Sequence, residues 1–580
     1  MKLKIATLLL LLSFVWAGRA AAFDYGEHKA AGEMAFGMFL DGLVKDGYFK
    51  DRQEEEKFFS ETLNMKKNPE GDLLYFSDLS NPPNYITYGV LDALSGDQSG
   101  DPLSLREELM YRYSHMNQIV DLESTYMQKF QNEATTGEIM DTNPSYAYLA
   151  VMDQSHFHDY GRSLEYHLGK VDRDTLEMLK SPKTADQAFS RLRKVNSITK
   201  YVTLHAFSVY LAGQAGKFYA TDVPRSNLYL AYAFLYSSFA DHFLADGFAS
   251  GHIVVNRSLF SAIINNKALH DFYCANGVEV VNLKGDVWKT YGDHMLERYP
   301  GQWKSVLSYD DIVDDKITLH ERMLVQAEAV SIREVWQAYQ DAKTGKPVVN
   351  VVDDFPEDDS EEKEKFSLDN FKALSLMPLP FNSDLKRYNL PPEKMEKLQD
   401  VNAMPANRNF VRSRVANSVI AEIGYYDVFG AAYDTIGLRL DVSRFSSYND
   451  TPNKAGTVDR WAGYTFSYLA GYANHVPMTT KVSGGMYCDF DFWVTKKKYF
   501  GLYSYLEAGI ERNDGINRFA FSPSVGLQFG PLFGLDDYVL PRWLWVPMQF
   551  VLPLKLVFGA NVVPSQITTY NITAEIDLLF

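Results

Sequence analysis

Eleven of the twelve histidines lie before residue 330, and the densest group is Asp241-His242-Phe243-Leu244-Ala245-Asp246-Gly247-Phe248-Ala249-Ser250-Gly251-His252. His242 and Asp246 are four residues apart. On a helix they share one face and can grip one metal ion. Gly247 and Gly251 suit a helix end that returns His252 toward the same cavity, giving the spacing H-x3-D-x5-H. Three ligand-type side chains among small apolar residues would be costly to bury without a metal. A second pair, Asp153 and His167, lies in MDQSHFHDYGRSLEYH, and a third group is Phe23-Asp24-Tyr25-Gly26-Glu27-His28. Imidazole and carboxylate donors with an open position suit zinc.

These motifs resemble those of the zinc-dependent phospholipases C and the related single-strand nucleases, all-helical enzymes with a cluster of three zinc ions. His242, Asp246 and His252 match the core motif in type and spacing, and Asp153 with His167 matches an upstream Asp–His pair. In the nuclease branch the mature chain starts with Trp and a Gly-His pair ends a six-residue segment. Phe23 to His28 keeps the length and the His, with Glu27 in the Gly slot. The resemblance spans roughly residues 23–300 and implies up to three Zn2+. Asp153, His167, His242 and Asp246 would surround the first, Asp153 serving in some family members as general base instead. His252 and His270 would hold the second. The α-amine and carbonyl of Phe23 with His28 would hold the third, and Asp246 would bridge the first and third. The family has an acid four residues after the His that matches His270, where this chain has Cys274. Either Cys274 ligates as thiolate, Asp271 substitutes, or that metal is held more weakly. His156 and His158, beside Asp153, are candidates to support the ligands, and His205 reads as a core residue.

The elements that must position these residues read as helical over 23–345. Apolar residues recur at helical spacing through 197–220 and 227–248, and no run reaches the length of a spanning helix. Val351–Lys365, crowded with acids, reads as a solvated loop, and 346–414 as a linker. From residue 415 the period changes to two. Ile436, Leu438, Leu440 and Val442 alternate with Gly437, Arg439, Asp441 and Ser443, and Thr568 to Phe580 alternates likewise. About eight such segments, with aromatic residues near their ends, predict an antiparallel transmembrane β-barrel over 415–580. The terminal Phe580 resembles the signal read by the outer-membrane barrel assembly machinery. Residues 1–22 read as a signal peptide, with Lys2 and Lys4, an apolar stretch and Ala20-Ala21-Ala22 before the cut.

The whole is therefore expected to be multidomain α + β, an all-α zinc hydrolase-like domain followed by a barrel. At 580 residues, 46% hydrophobic and 23% charged, wholesale disorder is excluded. A net charge of −17 opposes a stable complex with nucleic acid. The expected function is an outer-membrane-anchored zinc phosphodiesterase, phospholipase C-like, acting on phospholipid or another phosphodiester. Its helical domain would face the periplasm. The alternatives are a nuclease with the same chemistry and a non-catalytic barrel protein with a metal-binding or structural helical domain.

Overall fold

The computed structural model describes residues 25–63, 65–67, 74–77, 85–128, 134, 136–146, 149, 153–158, 164–254, 270, 273–274, 277–292, 319–380, 390–395, 398, 415–426, 431–447, 455–473, 476–477, 481–495, 500–513, 516–529, 554–564 and 568–576. The chain divides into two compact units. One comprises residues up to 255 and 273–399, the other 256–272 and 400–580. Among the described residues no helix is long and apolar enough to cross a membrane.

The first unit is mainly helical. Helix α1 (Tyr25–Lys45) carries His28. Helix α2 (Tyr88–Leu94) starts at Thr87, whose hydroxyl accepts from Val90 N at 3.0 Å. Helix α3 (Ser197–Phe218) is capped by Asn196, which accepts from Thr199 N at 2.9 Å. Helix α4 (Val223–Asp246) starts at Asp222 with Pro224 in its first turn, where proline's missing N–H costs nothing. Helices α5 (Ser250–Val254), α6 (Leu319–Lys343) and α7 (Ser360–Asn370) follow.

Residues 233–246 of α4 are all buried, so that half of the helix has no solvent face. It packs against α3 and α6, and α6 packs against α1. An aromatic core of Phe36, Phe39, Tyr88, Phe234 and Trp336 joins these helices to α2. Phe36 stacks on Tyr88 at 5.0 Å, and Phe39 meets Trp336 edge-on at 6.1 Å. Truncating one such ring costs about 3–5 kcal/mol. Helices α1 and α2 touch backbone to backbone. A Cβ on Gly89 would lie 2.0 Å from Lys29 O, and one on Gly32 would lie 2.8 Å from Gly89 Cα. That approach sets His28, one turn before Gly32, beside Asp92, one turn after Gly89.

The segment expected as a linker belongs to this unit as far as residue 399. Val351, Val352 and Phe355 are buried, and the end of the acidic run enters α7. Asp359 accepts from Glu361 N at 2.8 Å, and acids in a first helical turn are favoured by the helix dipole. Lys363 Nζ reaches Val171 O at 2.9 Å and fastens α7 down.

The second unit is an antiparallel sheet of eight long strands: β1 (Val415–Tyr426), β2 (Ala431–Ser447), β3 (Thr457–Ala473), β4 (Lys481–Trp493), β5 (Phe500–Asn513), β6 (Ile516–Phe529), β7 (Leu554–Asn561) and β8 (Thr569–Ile576). Each pairs with the next in sequence, and β8 pairs with β1, so the ring of pairings closes. The two faces are inverted relative to the first unit. Phe466, Met486, Phe490, Leu506, Ile510, Val525 and Phe558 are exposed, while Arg439, Asp441, Asp489, Asp491, Lys555 and Glu575 are buried. Inside, Arg439 makes a bidentate pair with Glu575 at 3.0 and 3.1 Å and meets Asp441 at 3.1 Å. Lys555 lies 3.4 Å from Asp491. With an even strand number, both ends of the ring return to one rim. Strand β6 ends and β7 begins at that rim, and β5 ends and β6 begins at the other.

Candidate metal centre

The last turn of α4 supplies His242 and Asp246, whose Nε2 and Oδ2 are 3.5 Å apart. His242 Nδ1 lies 3.0 Å from the Asp92 carbonyl oxygen. A carbonyl only accepts, so Nδ1 carries the proton and Nε2 keeps its lone pair for a ligand. His28 from α1 stacks on the His242 ring, with centroids 4.0 Å apart, and its Nε2 is 3.7 Å from Asp246 Oδ1. After the short break beyond α4, α5 returns His252, with Nδ1 3.2 Å from the same Asp246 oxygen. His28, His242 and Asp246 are fully buried, and each offers a donor atom within 4.8 Å of the other two.

A second set, Asp97, His156 and His242, meets the same criterion. His156 Nδ1 is 2.7 Å from Asp246 Oδ2, and its Nε2 is 3.9 Å from Asp97 Oδ1. The loop after α2 passes directly over these rings. Gly96 has φ +68, and a Cβ there would come 2.6 Å from His242 Nε2 and 2.8 Å from His156 Cε1. Both the left-handed backbone and the contact require glycine.

Electrostatics prepare the donors. Burial, aided by neighbouring His28, pushes the His242 imidazole well below its ordinary pKa and keeps it neutral. Burial pushes the Asp246 carboxyl up, but His156, which also hydrogen-bonds to it, and His252 hold it well below the carboxylate range, so it stays ionised. Burial raises Asp97 to about 6 against the pull of His156. His242 Nε2, His156 Nε2, Asp246 Oδ1 and both Asp92 oxygens make no hydrogen bond among the described residues. Each such orphan costs about 1–3 kcal/mol when buried, and a cation among them removes much of that cost.

The other expected ligands go elsewhere. Asp153 Oδ2 accepts from Lys200 Nζ at 3.0 Å, and Oδ1 accepts from Ser155 N at 2.9 Å and from the Ser155 hydroxyl. Burial raises its pKa, but Lys200, His156 and the serine bonds bring it below the ordinary value. His167 is buried with its ring 4.5 Å from that of His158, and its carbonyl accepts from Thr199 Oγ1 at 2.5 Å. Neither Asp153 nor His167 falls in either donor set among the described residues. His270 is buried and groups with the second unit. Cys274 is buried, its carbonyl accepting from Gly292 N at 3.2 Å, and neither it nor Cys488 forms a disulfide. Phe23 and Asp271 lie outside the described residues.

Asp92, Asp97 and Lys200 escaped the reading of the sequence. Lys200 alone had a usable signal, a single charge near the start of an apolar helix. No family model matches the chain, and neither a curated protein nor a solved structure matches it. What the arrangement can do therefore rests on its chemistry: buried imidazoles and an ionised carboxylate that could hold a metal ion.

Proposed function

We propose that the helical unit is a zinc-dependent phosphoester hydrolase of the phospholipase C kind, anchored in a bacterial outer membrane by the strand unit. The observation that carries the catalytic half is the convergence of His28, His242 and Asp246 on one buried point. Two imidazoles and a carboxylate are a donor set of the catalytic zinc type, three protein ligands with a position left open. A bound Zn2+ supplies Lewis acidity at a phosphoryl oxygen and acidifies water. The Asp92 carbonyl fixes the His242 tautomer, and the surrounding imidazoles keep Asp246 ionised. Asp97, raised to about 6, is a group at the centre able to take or give a proton near neutrality.

The exposed apolar face and charged interior of the closed strand ring support insertion in lipid, since a barrel in water needs the opposite arrangement. Lipid then lies at hand as substrate, and the net charge of −17 disfavours nucleic acid. The second reading, a non-catalytic barrel protein with a metal-binding helical domain, is favoured by one observation, the lysine that occupies Asp153.

The test uses the full chain in detergent, loaded with zinc, on phosphatidylcholine in mixed micelles and on single-stranded DNA. Chelator-sensitive release of the phosphorylated headgroup, restored by zinc, is expected. Cleavage of DNA alone selects the nuclease, and inertness of protein shown to carry zinc selects the non-catalytic reading. We place the rim where the barrel begins and ends on the periplasmic side. The long stretch of sequence between the end of β6 and the start of β7, both on that rim, runs against the usual pattern of short periplasmic turns. Protease added to intact cells should leave the helical unit uncut, and cleavage without permeabilisation reverses the topology.

A further inference from the structure

Lys200 is completely buried in the first turn of α3. A buried ammonium is tolerated only when its charge and its three donors are answered. Its Nζ donates to Asp153 Oδ2 at 3.0 Å and to Ser155 Oγ at 2.8 Å, and it sits 3.8 Å from the centroid of the Phe243 ring. The same Phe243 ring lies 5.0 Å from His242 and 5.2 Å from His156. The lysine is therefore separated from the candidate ligands by one aromatic side chain and is itself fully satisfied.

The carboxylates around it divide into two kinds. Asp153 has both oxygens engaged, one by Lys200 and one by Ser155. Asp246 keeps Oδ1, and Asp92 keeps both oxygens, without a hydrogen bond among the described residues. A cation seeks the second kind. The number of ions is limited as well. Both donor sets use His242, and its Nδ1 is committed to the Asp92 carbonyl, so only Nε2 can ligate. One nitrogen lone pair serves one ion, so a second ion would have to be held without His242, with Asp153 as the carboxylate available to it.

We propose that Lys200 is a built-in cation that holds Asp153 out of the ligand set, so that the centre takes a single divalent ion per chain through His28, His242 and Asp246. This rests on the metal reading above and departs from the three-ion cluster that the sequence resemblance implies. Lys200 acts here as a positioning residue. It fixes which carboxylate can ligate and supplies without a metal the positive charge that a second ion would bring.

The experiment is the ratio of bound Zn2+ to full-length protein after equilibrium dialysis, measured by elemental analysis, with Co2+ absorption as a check on the ligand set. Wild type should bind one ion per chain. Asp153→Asn should leave the ratio and the Co2+ spectrum unchanged. Lys200→Met frees Asp153 and should raise the ratio toward two. The double variant Lys200→Met/Asp153→Leu removes both charges, guards against a misfolded single variant, and should return the ratio to one. A wild-type ratio of two or three, or a loss of metal in Asp153→Asn, overturns the proposal while leaving the hydrolase reading standing. A wild-type ratio of zero overturns both.

Discussion

The two units of this chain bury opposite things. In the helical unit, apolar side chains fill most of the interior, and buried imidazoles and carboxylates gather around His242 and Asp246, where Asp246 Oδ1 and both Asp92 oxygens make no hydrogen bond among the described residues. In the strand unit, the interior is a lattice of ion pairs around Arg439, Glu575, Lys555 and Asp491, and the exterior carries the apolar residues. The same residue types thus mean different things. A buried acid in the strand unit is ordinary filling, answered across the ring. A buried acid in the helical unit stands out against an apolar interior, whether it lies in the candidate metal centre, as Asp246 does, or away from it, as Glu55 does.

The largest effect that tests this contrast comes from the helical pocket. His242→Ala removes the one nitrogen common to both donor sets. Metal binding should be lost and hydrolysis should fall by at least about 10³-fold. The ring of strands shares no residue of the centre and should keep its heat-modifiable mobility on gels. A change in mobility together with the loss of activity means that the units are coupled, and the contrast between them fails.

A second test addresses the exterior of the strand unit. Leu506 lies near the middle of β5 on the exposed face. If that face meets lipid, Leu506→Arg should cost about 2–4 kcal/mol of stability measured by denaturant in bilayers. On a face that meets water, the change stays within about 0.5 kcal/mol. The smaller value removes the membrane reading and leaves the inverted faces unexplained.

What could be read in the sequence follows the range over which each feature is decided. His242 and Asp246 were legible because helical spacing alone brings them together. The strands were legible because alternation is local. Residues 351–365 keep most of their acids exposed, as their sequence suggests, but they are not all loop, because Asp359 caps a helix that Lys363 ties to Val171. Asp97 reaches the centre through the φ of Gly96, and Asp92 through the packing of Gly32 on Gly89. Neither contact has a local pattern. Asp153 shows the limit most clearly. Its spacing to His167 pointed to a metal, and its partner is a lysine 47 positions along the chain.

The smallest expected effect separates the two kinds of buried acid most directly. Glu55, in the helix Arg52–Leu63, is buried and accepts from Arg52 Nη1 at 2.7 Å. Burial raises its pKa from 4.5 to about 7, and the pull of Arg52 does not cancel it. The folded protein therefore binds this proton more tightly than the unfolded chain does. Below pH 4.5 both states hold the proton and there is no penalty. Between pH 4.5 and about 7 the unfolded chain releases it first, so stability falls as pH rises, and above about 7 the loss is constant. Glu55→Gln should abolish that fall and raise the melting temperature of the helical unit at pH 8 by about 2–4 °C. The Arg52 pair it gives up is half exposed on the arginine side and contributes about 0–1 kcal/mol. Glu575→Gln should do the reverse. It strips Arg439 of its bidentate partner inside the strand ring and destabilises that unit. A Glu55→Gln variant that melts lower than wild type at pH 8 would place Glu55 with Glu575, as a charge the fold requires, and would erase the distinction between the two interiors.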